Sequence, residues 1–158
     1  MPFKIALDDL TPNNLGVIEK INSVCLPVQF DHQWYKESLE ENQGHLVKYA
    51  FFNELPVAAI KARVITKKGH ASPSFVYIDS IAVLEAYRGY GIGKKLLDWL
   101  VEESKTRFIH KIQCHGWKES VDWYVKQGFT NEGEVKGYYE KQGLTGDDAN
   151  AALLSLEF

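Results

Sequence analysis

The sequence predicts an α/β (α+β) fold with about seven strands and about four helices, in the order β-α-α-β-β-β-α-β-α-β-β. Three observations carry that prediction. The chain has 158 residues, of which 45% are hydrophobic, enough for one domain over residues 1–158 with a buried core. Apolar residues alternate in some segments and recur at helical spacing in others. Turn-forming residues separate these segments, and no linker or repeat interrupts them.

The N-terminal part of the chain reads as one strand followed by two helices. Residues 3–10 (FKIALDDL) are typical of a short strand. Apolar residues at helical spacing indicate a helix over about 12–25, with Thr11 as its N-cap and Pro12 at its first position. Residues 31–41 predict a second, short helix that begins at an aspartate.

The middle of the chain is rich in strand-forming residues. Residues 46–52 and 57–65 flank a turn at 53–54 and predict a hairpin. A polar loop over 66–74 follows it. Residues 75–83 (FVYIDSIAV) then predict a strand, because aromatic and β-branched residues dominate the segment.

The C-terminal half alternates helices and strands. Apolar residues at helical spacing indicate an amphipathic helix from Ile92 to about residue 105. The remaining predicted elements are a strand over 108–115, a helix over 118–127 that stops at Gly128, and two last strands over 129–139 and 151–158.

Composition narrows the possible functions. The net charge is −3, and a dedicated nucleic-acid-binding protein usually needs a basic face, so no nucleic-acid partner is expected. Cys25 and Cys114 form neither a disulfide framework nor a metal-ligand spacing, and HExxH is missing, so we expect no metal. The N-terminus lacks a signal-peptide core, and no apolar run has the length of a membrane span. These features predict a cytoplasmic protein.

Residues 85–100 (EAYRGYGIGKKLLDWL) place an arginine and three alternating glycines at the start of a predicted helix. A Walker A loop is excluded, because three residues separate Gly89 from Gly93 and a second lysine follows the first. The Rossmann pattern is excluded, because Leu96 stands where its third glycine belongs. Glycines at this place let an anion approach the unpaired N–H groups of the helix, with Arg88 as a planar donor. The pattern predicts a phosphate cradle, and a flexible turn is the alternative.

Two motifs resemble those of the GCN5-related N-acetyltransferases, the GNAT superfamily. YRGYGIGKKLL (87–97) resembles their acetyl-CoA signature, and KESVDWYVKQGF (118–129) resembles a helix with a tyrosine shortly before a terminal Gly-Phe. The resemblance covers essentially the whole chain. It implies the GNAT fold, with a mixed, mostly antiparallel central sheet, and an acetyltransferase that uses acetyl-CoA as cosubstrate. The cofactor-binding residues that we expect are Ile81, Ala82, Val83, Arg88, Gly89, Tyr90, Gly91, Ile92, Gly93, Lys94, Lys118 and Tyr124.

Three further segments resemble one group in that superfamily, the N-alpha-acetyltransferase 50 group, the catalytic subunit of NatE. They are LPVQFDHQWY (26–35), FVYIDSIAVLEAYRGYGIG (75–93) and GYYEKQ (137–142). The resemblance implies acetylation of protein N-termini, often Met-starting, on nascent chains. It also implies association with the auxiliary and catalytic subunits of a ribosome-associated complex. The implied substrate-binding residues are Leu26, Pro27, Val28, Phe30, Asp79, Tyr138 and Tyr139.

The resemblance also implies the catalytic residues. Tyr77 corresponds to a tyrosine that acts on a water, so that the acceptor amine loses its proton by water-mediated general base catalysis. The partner histidine of the family falls at Gln113 here, while His115 lies two residues further on the same face of the strand. Either His115 substitutes for the family histidine, or Gln113 holds the water. Tyr124 fits the tyrosine whose hydroxyl can protonate or hydrogen-bond the leaving thiolate.

Two residues depart from the family pattern. Asp79 stands where the family tends to have an apolar residue, and it shares the face of Tyr77. It can attract a cationic amine or act as a second base. Lys118 stands where many relatives carry an asparagine that binds the pantetheine arm.

Two other functions stay open at this point. One is a small-molecule N-acetyltransferase that acts on a polyamine, an amino acid or an aminoglycoside, for which Asp79 and Glu140 offer acidic groups. The other is a weakly active or inactive binding subunit of a larger N-terminal acetyltransferase complex. The glycine-rich signature argues against the second, because a pure scaffold has no need for a cofactor cradle.

Overall fold

A computed structural model of the chain describes residues 3–27, 29–39, 44–66 and 74–158. Its strands are β1 (Ile5–Asp9), β2 (His45–Phe52), β3 (Leu55–Ile65), β4 (Phe75–Val83), β5 (Lys111–Trp117), β6 (Thr130–Val135) and β7 (Ala151–Glu157). Its α-helices are α1 (Leu15–Cys25), α2 (His32–Lys36), α3 (Ile92–Thr106) and α4 (Val121–Lys126). The predicted fold class and element order are confirmed. The predicted loop over 66–74 lies mostly outside the described residues.

The strands form one seven-stranded sheet in the order β1-β2-β3-β4-β5-β7-β6. β4 and β5 run parallel, and the other neighbouring pairs are antiparallel. A parallel pair needs a long crossover, and α3 supplies it between β4 and β5. The glycine-rich stretch is the turn that begins this crossover.

Helices cover both faces of the sheet. Because strand side chains alternate, neighbouring residues of one strand contribute to opposite faces. Helices α3 and α4 pack on one face in a buried cluster that includes Leu96, Leu97, Leu100, Tyr124 and Phe129. Helices α1 and α2 pack on the other face, where the buried residues are Leu15, Ile18, Tyr35, Tyr49 and Ala59.

A tyrosine from another element sets the start of α1. The helix begins at Leu15 and its N-cap is Asn14, not Thr11 as predicted. The Asn14 side chain turns away from the helix and accepts a hydrogen bond from the Thr11 N–H at 2.7 Å. The Tyr49 hydroxyl donates to the Asn14 carbonyl at 2.6 Å and accepts from the Ile18 N–H at 3.1 Å. The hydroxyl therefore performs the capping that a local sequence pattern assigns to Thr11.

Two strands predicted in the C-terminal half begin or end at other residues in the structure. The strand expected over 108–115 begins at Lys111, because the preceding residues close the C-terminus of α3. The strand expected over 129–139 ends at Val135, because Gly137 turns the chain with a φ of +70°. This turn places Tyr138 and Tyr139 in a loop that faces the centre of the sheet.

Strands β4 and β5 separate at the middle of the sheet. Among the described residues, their register pairs Val76 with Ile112, Tyr77 with Gln113 and Ile78 with Cys114, and the pairing ends there. The register of β3 against β4 shifts at the same level, where Lys61 lies opposite Ser80 and Ala62 opposite Ile78. Asp79 is the extra residue of this β-bulge, and a bulge bends a strand and increases its twist. The result is an opening between β4 and β5.

In the described part of the chain, no helix is long and apolar enough to cross a membrane.

Candidate active site

The opening between β4 and β5 continues into a cavity of about 870 Å³. The turn before α3 and the beginning of that helix close one end. The segment after α1 and the loop after β6 close the other end. We call the first the donor end and the second the acceptor end. The cavity is large enough for an extended ligand that reaches from one end to the other.

The glycines at the donor end have two structural reasons. Gly89 and Gly91 have φ angles of +87° and +78°, which L side chains rarely adopt. Gly93 has an ordinary φ, but a Cβ there would lie 2.9 Å from the ring of Trp123. Gly89 and Gly91 therefore meet a backbone requirement, and Gly93 meets a packing requirement.

The start of α3 offers donors to an anion. The first intrahelical bond runs from the Lys95 N–H to the Gly91 carbonyl at 3.0 Å. The N–H groups of Ile92, Gly93 and Lys94 precede it, so the helix itself gives them no acceptor. Gly91, Ile92 and Gly93 line the cavity, as does Lys94. Unpaired N–H groups, the helix dipole and a lysine suit a pyrophosphate group.

Arg88 and Cys25 meet at the Val83 carbonyl. The Arg88 Nε donates to this oxygen at 2.9 Å, and the Cys25 thiol donates to it at 3.5 Å. Burial raises the pKa of Cys25, so the thiol keeps its proton near neutral pH. Arg88 therefore lies at the junction of β4 and the glycine turn, beside the phosphate cradle.

The backbone of β4 faces the opening at alternate residues. Ala58 on β3 lies opposite Val83 on β4. Next to this pair, the Leu84 N–H donates to the Val57 carbonyl at 2.9 Å. In an antiparallel ladder this marks a non-hydrogen-bonded pair, so the amide groups of Val83 point away from β3. By alternation, those of Ile81 also point into the opening, while those of Ala82 pair with β3. The N–H and carbonyl of Ile81 and the N–H of Val83 are thus available to the amides of an extended ligand, whereas the Val83 carbonyl already accepts from Arg88 and Cys25.

Tyr77 and His115 meet where the two ends of the cavity join. The Tyr77 hydroxyl is 2.6 Å from Nδ1 of His115 and 2.8 Å from the hydroxyl of Tyr138. The His115 and Tyr138 rings are stacked, with centroids 4.1 Å apart. A hydroxyl has one proton, so when Tyr77 donates to His115 it must accept from Tyr138. This order defines a direction for proton transfer, from the cavity to the imidazole.

The ionisation of these groups fits that direction. Burial raises the pKa of Tyr77, and the hydrogen bond with Tyr138 raises it further. The phenol is therefore neutral at physiological pH. Burial lowers the pKa of His115, so its imidazole is also neutral and can accept a proton. In the pair, the His115 imidazole can accept a proton and the Tyr77 hydroxyl can donate one to it.

Tyr124 lies on α4 deeper in the cavity, with 6% of its surface exposed. Burial raises its pKa well above the ordinary value, with a smaller contribution from the Cys114 thiol. The hydroxyl keeps its proton near neutral pH. It can donate a hydrogen bond to a sulfur that reaches this depth.

Apolar and aromatic side chains form the walls of the acceptor end. Leu26, Pro27 and Phe30 line it, as do Tyr138 and Tyr139. Val28 lies outside the described residues. Tyr138 is 37% exposed, whereas Tyr139 is 9% exposed and its hydroxyl donates to the His115 carbonyl at 3.3 Å. One tyrosine faces the cavity mouth, and the other supports the strand that carries His115.

Asp79 lines the cavity but already has two cationic partners. Its Oδ1 accepts from the Arg63 Nε at 3.1 Å, and its Oδ2 lies 3.6 Å from the Lys61 Nζ. The carboxylate is 8% exposed. A carboxylate neutralised in this way is a weak attractant for a cationic amine, contrary to one of the two roles predicted for it.

Three predicted site residues are not among the described residues that line the cavity. Gln113 is paired with Tyr77 in the ladder, but the Tyr77 side chain leans toward His115. Tyr90 packs against Phe3 on the outer surface, with centroids 5.1 Å apart. Lys118 pairs with Asp148 at 2.5 Å and is not among the described residues that line the cavity. Its predicted contact with the pantetheine arm is therefore not supported by its position.

The structure adds several residues that the sequence analysis did not assign to the site. They are Cys25, Trp34, Arg63, Ile78, Ser80, Tyr87, Trp117, Glu119, Ser120, Trp123, Gln127 and Gln142. Arg63 was detectable in principle, because it pairs with Tyr77 across β3 and β4. Trp123 was also detectable as the neighbour of the motif tyrosine. Trp34 carried no such signal, because its position depends on how α2 packs.

Among the described residues, no cluster of three or more His, Cys, Asp or Glu side chains has the geometry to hold a metal ion.

Comparisons with known proteins agree with this geometry. The profile of the acetyltransferase (GNAT) family matches residues 15–129. N-alpha-acetyltransferase 50 of Danio rerio is 32% identical over 145 residues, 89% of this chain and 83% of that protein. An uncharacterized N-acetyltransferase of Schizosaccharomyces pombe is 34% identical over 131 residues, 79% of this chain and 87% of that protein.

A solved structure extends the similarity to three dimensions. Arabidopsis thaliana Naa50 in complex with the bisubstrate analogue CoA-Ac-MVNAL matches with a TM-score of 0.81 and 25% identity, over 98% of this chain and 99% of that chain. The phosphate cradle and the open β4 backbone fit acetyl-CoA as the cosubstrate. The family profile covers most of the chain, including the signature turn, β4, β5 and α4. The chain therefore belongs to the GNAT family and is an acetyl-CoA-dependent acetyltransferase.

Proposed function

We propose that this chain moves the acetyl group of acetyl-CoA directly to the α-amine of a protein N-terminus that starts with methionine. The observation that supports this most is the hydrogen-bonded set of Tyr77, His115 and Tyr138 at the inner edge of an apolar acceptor end. These three residues can accept one proton from an amine whose pKa lies near neutral pH. The apolar walls suit an uncharged first side chain.

The acceptor amine has to lose a proton before or during attack. An α-amine has an ordinary pKa of about 7.7–8.0 and a lysine amine about 10.4, so a neutral imidazole is a suitable base for the first. In our proposal the amine proton passes, through the Tyr77 hydroxyl or through a water held by it, to Nδ1 of His115. His115 thereby takes the role of the family histidine, and Gln113 does not.

The residues around the reacting carbonyl have separate tasks. The thioester of acetyl-CoA supplies an activated acyl group. The N–H groups of Ile81 and Val83 hold the donor and face the position where negative charge develops. The Tyr124 hydroxyl hydrogen-bonds the departing sulfur or gives it a proton. Tyr138 closes over the acceptor backbone, and Tyr139 holds the strand that carries His115.

The structure disfavours the small-molecule alternative. A polyamine needs unpaired carboxylates, but Asp79 is paired with Arg63 and Lys61. Glu140, the other acidic candidate, folds back on its own turn, where its carboxylate lies 2.9 Å from the position of a Cβ on Gly137. Glu119 also lines the cavity, but it lies just before α4 and is not in either of the two segments that close the acceptor end.

Partners and location follow from the same proposal. Nascent chains are the natural source of free protein N-termini, so we propose that the chain works in the cytoplasm. By analogy with the N-alpha-acetyltransferase 50 group, we also propose that it joins a ribosome-associated NatE-type complex with an auxiliary and a second catalytic subunit. Residues 1–158 act as one domain in this proposal, and the reaction needs no metal.

The test is acetyl transfer from labelled acetyl-CoA to short peptides that differ in their first residue. Spermidine and an N-terminally blocked peptide with an internal lysine serve as controls. We expect labelling of free N-termini, strongest for Met, and no labelling of the controls. Labelling of spermidine instead would establish the small-molecule alternative. Cofactor binding without transfer to any acceptor would support the inactive binding subunit.

A further inference from the structure

A buried lysine lies behind the acceptor end. Lys61 on β3 has 2% of its side chain exposed, and its Nζ lies 3.6 Å from Oδ2 of Asp79. Lysine is almost never fully buried unless it is paired. Burial lowers the pKa of Lys61, and the Asp79 carboxylate opposes that shift. A charged side chain is costly to bury, so Lys61 should have a role other than filling the core.

The ammonium group also contacts an aromatic stack. The Nζ of Lys61 is 3.9 Å from the centroid of the Trp34 ring. Trp34 in turn stacks on Phe30, with centroids 3.9 Å apart and ring planes 11° apart. Cation–π contacts are strongest when the cation is desolvated, which is the situation of Lys61. One cation therefore connects a carboxylate on β4 to a ring on α2.

The connected residues are part of the cavity wall. Asp79, Trp34 and Phe30 line the cavity, whereas Lys61 touches it only through them among the described residues. The segment that carries Phe30 leaves α1 and has no strand to hold it in register. Its position relative to the reacting centre depends on side-chain contacts. Asp79 lies two residues from Tyr77 on the same strand, so the link ends beside the reacting centre.

We propose that Lys61 and Asp79 are positioning residues that fix the Trp34–Phe30 wall relative to Tyr77 and so determine how tightly the acceptor binds. This inference rests on the proposed function, because it takes the acceptor to be a peptide that packs against Phe30. Neither residue takes part in the chemistry. The donor end lies at the other side of the opening, so acetyl-CoA binding is independent of the pair.

The primary test compares two lysine variants. Lys61→Met removes the ammonium and keeps the length of the side chain. Lys48→Met is the matched control, because Lys48 on β2 also pairs with a carboxylate, Asp9, and lies 5.3 Å from the Trp99 ring, away from the cavity. We expect Lys61→Met to raise the peptide KM about tenfold, in keeping with the loss of a desolvated cation–π contact. The acetyl-CoA KM stays unchanged, and Lys48→Met changes neither constant.

A double-mutant cycle tests whether the effect passes through the wall. Phe30→Leu removes the ring that the acceptor meets. If Lys61 acts through Trp34 and Phe30, the double variant Lys61→Met/Phe30→Leu has nearly the peptide KM of Phe30→Leu alone. Independent, multiplicative effects on the peptide KM would overturn the proposal. A parallel rise in the acetyl-CoA KM would also overturn it, because it would show a general loss of structure.

Two further measurements keep the test decisive. Lys61→Met/Asp79→Met removes both charges, so that no buried carboxylate is left with Arg63 as its one remaining cationic partner. Hydrogen exchange of residues 29–36 reports on the wall without any acceptor. We expect faster exchange there in both Lys61 variants and not in Lys48→Met. Unchanged exchange contradicts the inference even if no peptide is acetylated, whereas absence of wild-type transfer contradicts only the proposed function.

Discussion

The hydroxyl of Tyr77 has two hydrogen-bond partners and one proton to give. His115 at 2.6 Å can only accept from it when Nδ1 carries no proton, and Tyr138 at 2.8 Å must then donate. The phenol cannot serve as the base itself, since burial keeps its pKa above the ordinary range. In the proposed mechanism, catalysis therefore needs both residues, the hydroxyl to contact the acceptor and the imidazole to accept the proton.

Substitutions at the three polar residues of β4 and β5 separate their roles. General base catalysis contributes roughly 10²–10⁴-fold, so Tyr77→Phe and His115→Asn should each lower kcat by about 10²-fold or more. Gln113→Ala should leave kcat within about twofold, because Gln113 does not line the cavity among the described residues. Steady-state kinetics at saturating acetyl-CoA measure these effects. A loss in Gln113→Ala as large as that in His115→Asn would assign the base role to Gln113.

His115 also determines the expected pH dependence of kcat. His115 has a pKa below its ordinary value of 6.5, because burial disfavours the imidazolium. The neutral, proton-accepting form therefore persists as the pH falls through 6.5. The profile should have two limbs, one from the acceptor α-amine near its ordinary pKa of about 7.7–8.0 and one from His115 below 6.5. Only the lower limb should vanish in His115→Asn, and loss of the upper limb alone in that variant would contradict the assignment.

At the scale of secondary structure elements, α3 and α4 end in the same way with different residues. At the end of α3, the Ile109 N–H donates to the Ser104 carbonyl at 2.9 Å, and Phe108 takes the left-handed position with φ +58°. At the end of α4, the Phe129 N–H donates to the Tyr124 carbonyl at 3.1 Å, and Gly128 has φ +101°. Both are Schellman motifs. The second also explains the Gly-Phe after the motif tyrosine.

This comparison predicts opposite effects for two substitutions. Phe108 is 87% exposed and pays the left-handed penalty of an L residue, so Phe108→Gly should raise the free energy of unfolding by about 1 kcal/mol. Gly128→Ala should lower it by about 1 kcal/mol, because its φ suits only glycine. Urea denaturation at constant m-value measures both. Destabilisation by Phe108→Gly would mean that the exposed ring has a contact worth more than the backbone strain.

The sequence predicted these elements well where the signal was local. Gly128 was recognisable as a helix end, and Asp31 as a helix start, where its side chain accepts from the Trp34 N–H at 2.8 Å. The start of α1 was wrong, because Tyr49 on β2 supplies the cap that Thr11 was expected to supply. The end of α3 was close, yet no sequence rule expects a phenylalanine at a left-handed position. The errors fall where a distant residue decides a local conformation.

At the scale of the whole molecule, the sheet consists of two parts joined at the cavity. Strands β1 to β4 form one part and β5, β7 and β6 the other, and β4 pairs with β5 at Val76, Tyr77 and Ile78. The order of the elements was predictable, because apolar residues recur at one spacing in helices and at another in strands. A role for the open backbone of residues 81–83 in cofactor binding was expected from the family resemblance, whereas the neighbouring bulge at Asp79 was not, because no sequence pattern marks it. Hence the motifs were identified, but Arg63 and Trp34 were not.

A ligand that spans this opening should stabilise both parts together. Acetyl-CoA that binds the β4 backbone and the α3 N-terminus only in the folded state adds about 2.7 kcal/mol to the free energy of unfolding at 100 times its Kd. Arg88 lies at the junction of these two elements, where its Nε holds the Val83 carbonyl. We therefore expect a clear rise in Tm for the wild type and a much smaller rise for Arg88→Ala at the same acetyl-CoA concentration.

The matched control for that experiment is Arg107→Ala. Arg107 lies at the opposite end of α3, where it pairs with Glu103 at 2.8 Å on the surface. The Arg107→Ala variant should lose little stability, because an exposed ion pair of this kind contributes at most about 1 kcal/mol. It should also keep the full ligand-induced rise in Tm. A rise that is equally small in both arginine variants would show that net charge, and not the Val83–Arg88 junction, governs donor binding. A full rise in Arg88→Ala would show that the helix N-terminus alone holds the cosubstrate.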